Sequence, residues 1–225
     1  VRLLVSVLDK RQALDATLES DTVFTALAVR DRAFARAIVG TALRRHGTIA
    51  AALATLMATR PPRAGNLQRI LEIAAAQILF MRTADHAAVS LAVDQVAADR
   101  NARHFKGLAN AVLRRLVRER DALLPQLHAV NLDTPDWLWQ RWSATYGEAT
   151  AWHVADAHLL EPALDISVKS DAEGWAEKLG GIVLPTGTVR LVPAGTVEAM
   201  AGFGDGRWWV QDAAAALPVR LFDDV

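Results

Sequence analysis

Cysteine is absent from the 225 residues, and with it go structural disulfides, thiolate metal sites and cysteine nucleophiles within this chain. Aromatics are sparse at 6%, with a single tyrosine, although seven residues are tryptophan. Long apolar runs are missing too, because Arg or Asp interrupts each stretch before the ~18 residues that a membrane span needs. The opening VRLLVSVLDKRQALDATLE carries charges where a secretion signal is apolar, and it has no small-residue cleavage site. A soluble, cytoplasmic protein without a membrane partner is therefore expected.

Net charge is lacking as well, but its zero conceals an asymmetry. Residues 1–120 hold 19 Lys+Arg against 10 Asp+Glu, a net of +9, and residues 121–225 hold 6 against 15, a net of −9. Lysine is scarce: 21 of the 25 basic residues are Arg, the side chain best shaped for phosphate forks and base stacking. A basic half followed by an acidic one points the first half toward a polyanion. GC-rich coding also favours Arg, so composition alone does not decide the matter.

What is present is a 52% apolar chain able to bury a core. Residues 1–124 read as helices only. After Asn66, a good N-terminal cap, Leu67, Ile70, Leu71, Ala74, Ile78 and Met81 fall on one helical face, and Pro61-Pro62 ends the helix before it. Val89, Ala92, Val93 and Val96 repeat the pattern, as do Phe105, Leu108, Ala109, Val112, Leu113 and Leu116. Further helices are expected over Arg2 to Leu18 and over Asp31 to Arg45, the second capped by Asp31 and stopped at Gly47. Thr48 is then expected to cap a short Ala-rich helix ending near Met57. These elements predict an all-helical bundle.

LPQLHAVNLDTPDW has two prolines and no period, so residues 125–134 read as a linker. Thr134-Pro135 opens a Trp-rich helix to Gly147, and EATAWHVADAHLL forms another. ALDISVK, IVLPT, TVRLV and RWWVQ read as strands and DAEGWAEKLGG as a helix. The last helix runs from about Ala213 into Phe222. Residues 135–225 are thus expected to be a small α/β domain, and the whole chain mainly α.

Arg32, Arg36 and Arg44 lie at multiples of four on the Asp31 helix, with Gly40 between, and Arg45 and His46 prolong the basic end. Arg114, Arg115, Arg118 and Arg120 crowd the end of GLANAVLRRLVRER. Each cluster alone is explained by a solvated face or by Arg complementing a helix C-terminus. Two of them in a half-chain of net +9 bring RNA forward as an equal reading. Asn110, a poor helix former, reads as a polar contact made from inside the bundle, with RNA as the alternative. No His spacing suits a metal, and His153 and His158 are too far round the helix from each other. GFGDG reads as a turn before RWWVQ, since no Lys-Ser/Thr follows it as in a phosphate loop. Trp137, Trp139 and Trp142 read as packing.

At this point the motifs resemble a family. DRAFARAIVGTALRR, DHAAVSLAV and KGLANAVLRRL, in that order, resemble the NusB-like RNA-binding fold. HAAVSLAV and LANAVLRRL are similar to the forms carried by the Sun/Fmu group of small-subunit ribosomal RNA cytosine-C5 methyltransferases. PDWLWQRWSATYGEATAW and GFGDGRWWVQDAAAAL are similar to segments of that group, whereas a free-standing NusB would end near residue 120 to 130. ALDISVKS departs from the group by replacing its Arg-Val-Asn run.

The resemblance implies an RNA-binding, substrate-targeting region whose RNA partner is small-subunit ribosomal RNA. Arg32, Arg36, Arg44, Arg45, Lys106, Arg114, Arg115 and Arg118 are the expected RNA contacts. It implies S-adenosylmethionine for the full-length enzyme and none for this chain, which ends before the family's cofactor loop and catalytic cysteines. The chain by itself is expected to hold no catalytic residue, no metal and no activity. Gln211 and Asp212 are expected beside the catalytic cleft of the intact enzyme. The alternatives are a NusB-like antitermination or adaptor module that binds RNA, and a purely structural bundle.

Overall fold

The computed structural model describes residues 1–57, 62–192 and 197–221. Pro61 and Phe222, read above as a helix break and a helix end, lie outside the described residues. The chain divides into two compact units, Val1–Leu159 and Leu160–Val225.

Among the described residues the regular elements of the first unit are helices: α1 (Arg2–Leu8), α2 (Leu14–Ser20), α3 (Thr22–Thr25), α4 (Val29–Arg44), α5 (His46–Leu56), α6 (Leu67–Phe80), α7 (Asp85–Ala98), α8 (Lys106–Leu123), α9 (Ala129–Asp133), α10 (Asp136–Tyr146) and α11 (Glu148–His158). At its centre is α6, which packs on α4, α5, α7 and α8. It is buried almost all round because Ala74, Ala75 and Ala76 let neighbours approach, while Leu67, Ile70, Leu71 and Ile78 fill the space between them. Its one buried carboxylate, Glu72, is held by Arg69 at 2.6 Å and by Gln68 at 2.9 Å, which offsets the cost of taking that charge out of water.

Several boundaries differ from the sequence reading. Arg2 to Leu18 is two helices, with Arg11 in left-handed backbone (φ 57°) between them. Leu3, Leu18 and Val39 share one apolar cluster. On one continuous helix Leu3 and Leu18 would stand roughly 22 Å apart at 1.5 Å per residue, so the chain must turn back to join them. Helix α4 begins at Val29, which leaves Asp31 in the first turn rather than at the cap. There it still complements the helix dipole.

Gly47 does not stop a helix, nor does Thr48 start one, since α5 begins at His46 and includes both. A Cβ on Gly47 would meet the Leu132 carbonyl oxygen at 1.8 Å, so glycine stands where α9 crosses close. The Thr48 N–H donates to Asp133 Oδ1 at 2.8 Å and its hydroxyl to Oδ2 at 2.7 Å. The first turn of α5 is therefore capped by a carboxylate 85 residues away. Asn66 stands at the start of α6 without capping it. Its side chain and its N–H both donate to Asp99.

The stretch read as a linker contains α9, and Thr134 is a buried end of that helix. Val130, Ala155 and Leu159 form a cluster with Trp139 and Trp142, so α9, α10 and α11 pack as part of the first unit. The two units therefore meet after Leu159 rather than at residues 125–134. Of the three tryptophans of α10, Trp139 and Trp142 pack as expected, while Trp137 is 65% exposed.

The second unit contains β1 (Leu164–Val168), α12 (Ala172–Leu179), β2 (Ile182–Val183), β3 (Val189–Leu191), β4 (Trp208–Val210) and α13 (Ala213–Ala216). Its strands form one antiparallel sheet in the order β2-β3-β1-β4. Alternation puts Ile166, Val189, Leu191 and Trp208 into a core with Ala176 of α12. The GFGDG segment is a turn, as read. Gly202 (φ 86°) lies against the Trp175 ring, and the indole N–H of Trp208 donates to the Ala201 carbonyl at 2.9 Å. That turn packs on Trp175 of α12 and on Trp208. The architecture is mainly α: a helical bundle and a small α/β unit.

Candidate nucleic-acid interface

Helix α8 carries the densest basic cluster. Ala109, Val112, Leu113 and Leu116 bury one face in the bundle, so the 3.6-residue period turns Asn110, Arg114 and Arg118 outward along one edge. That edge borders a groove of about 460 Å³ shared with α7 and lined by Asp85, His86, Val89, Ser90, Val93, Asn110, Arg114, Val117 and Arg118. Arg114 and Arg118 are exposed, and neither meets a carboxylate among the described residues. Asp85, across the groove, is already paired with Arg120 at 2.7 Å.

The remaining predicted contacts separate. Arg115 points to the other flank, donating to Glu119 at 2.8 Å and to the Leu56 carbonyl at 3.1 Å, where it closes the end of α5. Hydrogen bonding to Arg115 holds the Glu119 carboxyl below its ordinary range. Arg120 ties the end of α6 to the start of α7 through the Ile78 carbonyl and Asp85. Lys106 is exposed at the far end of α8, eight residues or roughly 12 Å from Arg114 along the axis.

The α4 stripe is weaker than its spacing suggests. Arg36 is exposed and pairs with Asp15 at 3.2 Å, and Arg32 is half-buried beside the Thr25 carbonyl at 3.4 Å. Arg44 is half-buried. Arg45 faces inward, its guanidinium 5.0 Å from the Phe80 ring centroid and donating to the Leu159 carbonyl at 3.1 Å. Burial pulls its pKa down, although a guanidinium stays charged at any physiological pH. Arg45 thus holds α4 and α5 to α6 and α11 and is not presented as an open RNA contact.

Asn110 corrects the reading that set it inside the bundle. It is half-buried at the groove edge, and its Oδ1 accepts from Arg114 Nε at 2.9 Å. His86 and Ser90 on α7 were missed. Their spacing of four, like that of Asn110, Arg114 and Arg118, was the available signal, but single helices do not reveal which faces will be set opposite one another.

Gln211 and Asp212 belong to the second unit's own fold. Gln211 Oε1 accepts from the Ser167 hydroxyl at 2.7 Å and the Trp209 indole at 3.1 Å. Asp212 caps α13 by accepting from the Ala214 and Ala215 N–H groups. Beside them Asp165 is buried, held by two parallel bonds from Arg190 at 2.7 and 2.8 Å and by the Ala213 N–H at 3.1 Å. Hydrogen bonding to Arg190, then to the Ala213 N–H, pulls the Asp165 carboxyl below the usual range against the opposing effect of burial.

Among the described residues no three His, Asp or Glu side chains converge as a metal site, and no helix is long and apolar enough to cross a membrane. Residues 1–118, more than half of the chain, match the NusB family. The chain belongs to the NusB family. Similarity continues past the NusB portion. The chain is 29% identical over 235 residues to the ribosomal RNA small subunit methyltransferase B of Serratia proteamaculans, covering 96% of this chain and 53% of that protein. The protein of the same name from Xylella fastidiosa is 32% identical over 228 residues, covering 95% and 51% respectively. That from Xanthomonas campestris is 32% identical over 226 residues, covering 95% and 50%. The chain spans about half the length of the curated relatives it matches.

Proposed function

We propose that this chain is the RNA-engaging region of an S-adenosylmethionine-dependent ribosomal RNA cytosine-C5 methyltransferase that acts on the small-subunit RNA in the cytoplasm. The observation that carries the proposal is the extent of the similarity. It runs through the NusB portion and the small α/β unit alike, over 95% of this chain, to proteins named ribosomal RNA small subunit methyltransferase B. An antitermination or adaptor module built on NusB alone gives no reason for similarity beyond residue 118.

In this reading the helical unit grips RNA through the α8 edge, chiefly Arg114 and Arg118, with Lys106, Arg32, Arg36 and Arg44 as outlying charges. Binding energy collected here, away from the reacting base, positions the substrate for the catalytic portion. In this reading the cofactor site and the cysteines that attack the pyrimidine are supplied from outside these 225 residues, which contain no cysteine. In the same reading Gln211 and Asp212, which brace their own unit, lie beside the catalytic cleft of the intact enzyme.

The test is to assay the full-length gene product for transfer of a labelled methyl group from S-adenosylmethionine to small-subunit RNA, with this chain alone as a control. Methylated cytosine from the full-length protein, and none from the chain, is the expected result. RNA binding by both without any methyl transfer would replace the proposal with the adaptor reading.

A further inference from the structure

The groove between α7 and α8 has a composition that simple charge attraction does not require. Its floor is apolar, formed by Val89, Val93 and Val117, while one wall carries Arg114 and Arg118. Asn110 sits between floor and wall. Arg Nε is a donor only, so the Asn110 oxygen must face it at 2.9 Å, which leaves the amide NH2 of this groove-lining residue a donor without a hydrogen-bond partner among the described residues. The wall therefore offers mainly donors, and the one acidic group on the opposite side is held by Arg120.

An apolar floor beside clustered donors matches one kind of ligand well. A nucleotide has an apolar ring face, acceptor-rich ring edges and an anionic phosphate, and Arg planes stack on bases. Paired bases in a duplex keep their ring faces stacked and cannot seat them on the floor. Resting on the RNA-binding reading above, we propose that the α7–α8 groove is a slot for an unstacked nucleotide of single-stranded RNA. The base lies on Val93 and Val117, the Asn110 amide donates to a base carbonyl, and Arg114 and Arg118 take the adjoining phosphate. The 460 Å³ of space is then a reading site rather than a packing defect.

The experiment is a fluorescence-anisotropy titration of this chain with a labelled twelve-nucleotide uridine oligomer and with a blunt RNA duplex at low salt. Ser90→Leu fills the groove from an exposed position, Asn110→Ala removes the amide and Arg118→Gln removes one charge. Arg36→Gln removes one charge on α4 as the control, and far-UV circular dichroism shows which variants are folded. Ser90→Leu and Asn110→Ala are expected to weaken uridine-oligomer binding about tenfold, the scale of losing one stacked base, while leaving duplex binding within twofold. Arg118→Gln, which alters no packing, should weaken the oligomer more than Arg36→Gln does. Equal behaviour of Ser90→Leu, Asn110→Ala and wild type toward the oligomer overturns the slot while leaving RNA binding intact. Failure of the wild-type chain to bind either RNA overturns the RNA reading itself. Displacement of the oligomer by an acidic, leucine-containing peptide, with that peptide's affinity lost in Ser90→Leu, would assign the groove to a protein partner instead.

Discussion

Gly47 and Asp133 show how a residue's local preference can be reversed by a distant neighbour. Alanine is a better helix former than glycine by about 1 kcal/mol, so a reading of α5 in isolation expects Gly47→Ala to stabilise. The Leu132 carbonyl, 1.8 Å from the position of the new Cβ, reverses that sign. Gly47→Ala is expected to lower stability by about 2 kcal/mol in urea unfolding, the cost of forcing extra volume into a packed contact. Asp133→Ala should cost about 2 kcal/mol in the same measurement, because the Thr48 N–H and hydroxyl lose a charged acceptor in a buried place. A stabilising Gly47→Ala would mean that α9 does not pack on α5. Arg45 belongs to the same scale: at the basic end of its helix it read as an RNA contact, whereas the Phe80 ring and the Leu159 carbonyl hold it half-buried.

At the scale of elements, the small sheet is tied together by a charge. Asp165 on β1 meets Arg190 on β3, its register partner, and also holds the first N–H of α13. Its carboxyl titrates lower in the folded state than in the unfolded chain. The stabilisation is therefore fully present above the unfolded value near ~3.9 and is lost as pH falls through the lower folded value. Stability of the second unit, followed by tryptophan fluorescence, should fall on acidification below about pH 4, and the gap between wild type and Asp165→Asn should narrow there. A gap that is constant from neutral pH down to the acid limit would mean that the carboxylate form contributes nothing special. All four strands of this sheet were legible in the sequence, since alternation over LDISV and WWV is a local signal. The break between α1 and α2 was not legible, because it is made by Leu18 and Val39 gathering around Leu3.

For the whole molecule, the question is whether the excess positive charge of residues 1–120 acts as one field or through one edge. Each phosphate contact contributes roughly 0.7 to 0.9 to the slope of log K against log salt. Replacing Arg114 and Arg118 together with Gln should weaken binding of any RNA and flatten that slope by about 1 to 2. The same change at Arg32 and Arg36 should flatten it less, because Asp15 already neutralises Arg36. Binding titrations at several salt concentrations measure both slopes. Equal slopes for the two double variants would favour a diffuse basic surface over the α8 edge.

Helical periodicity, sheet alternation and charge asymmetry are properties of neighbouring residues, and the sequence by itself determined them: the helical bundle, the small sheet and the basic first half. The order of its motifs also determined the family to which the bundle belongs. Only the tertiary structure decided which charges remain open. Arg45 was consumed as an internal tie and Arg115 was bound at the surface to Glu119 and the Leu56 carbonyl, while Arg114 and Arg118 were left beside a groove with Asn110. It also decided that Gly47 and Asp133 form a helix-crossing contact and that Gln211 and Asp212 brace their own unit. The physical reason is that a side chain's partner is set by which helix faces or strands are brought opposite it. That pairing comes from burying apolar faces tens of residues apart, which no local pattern encodes.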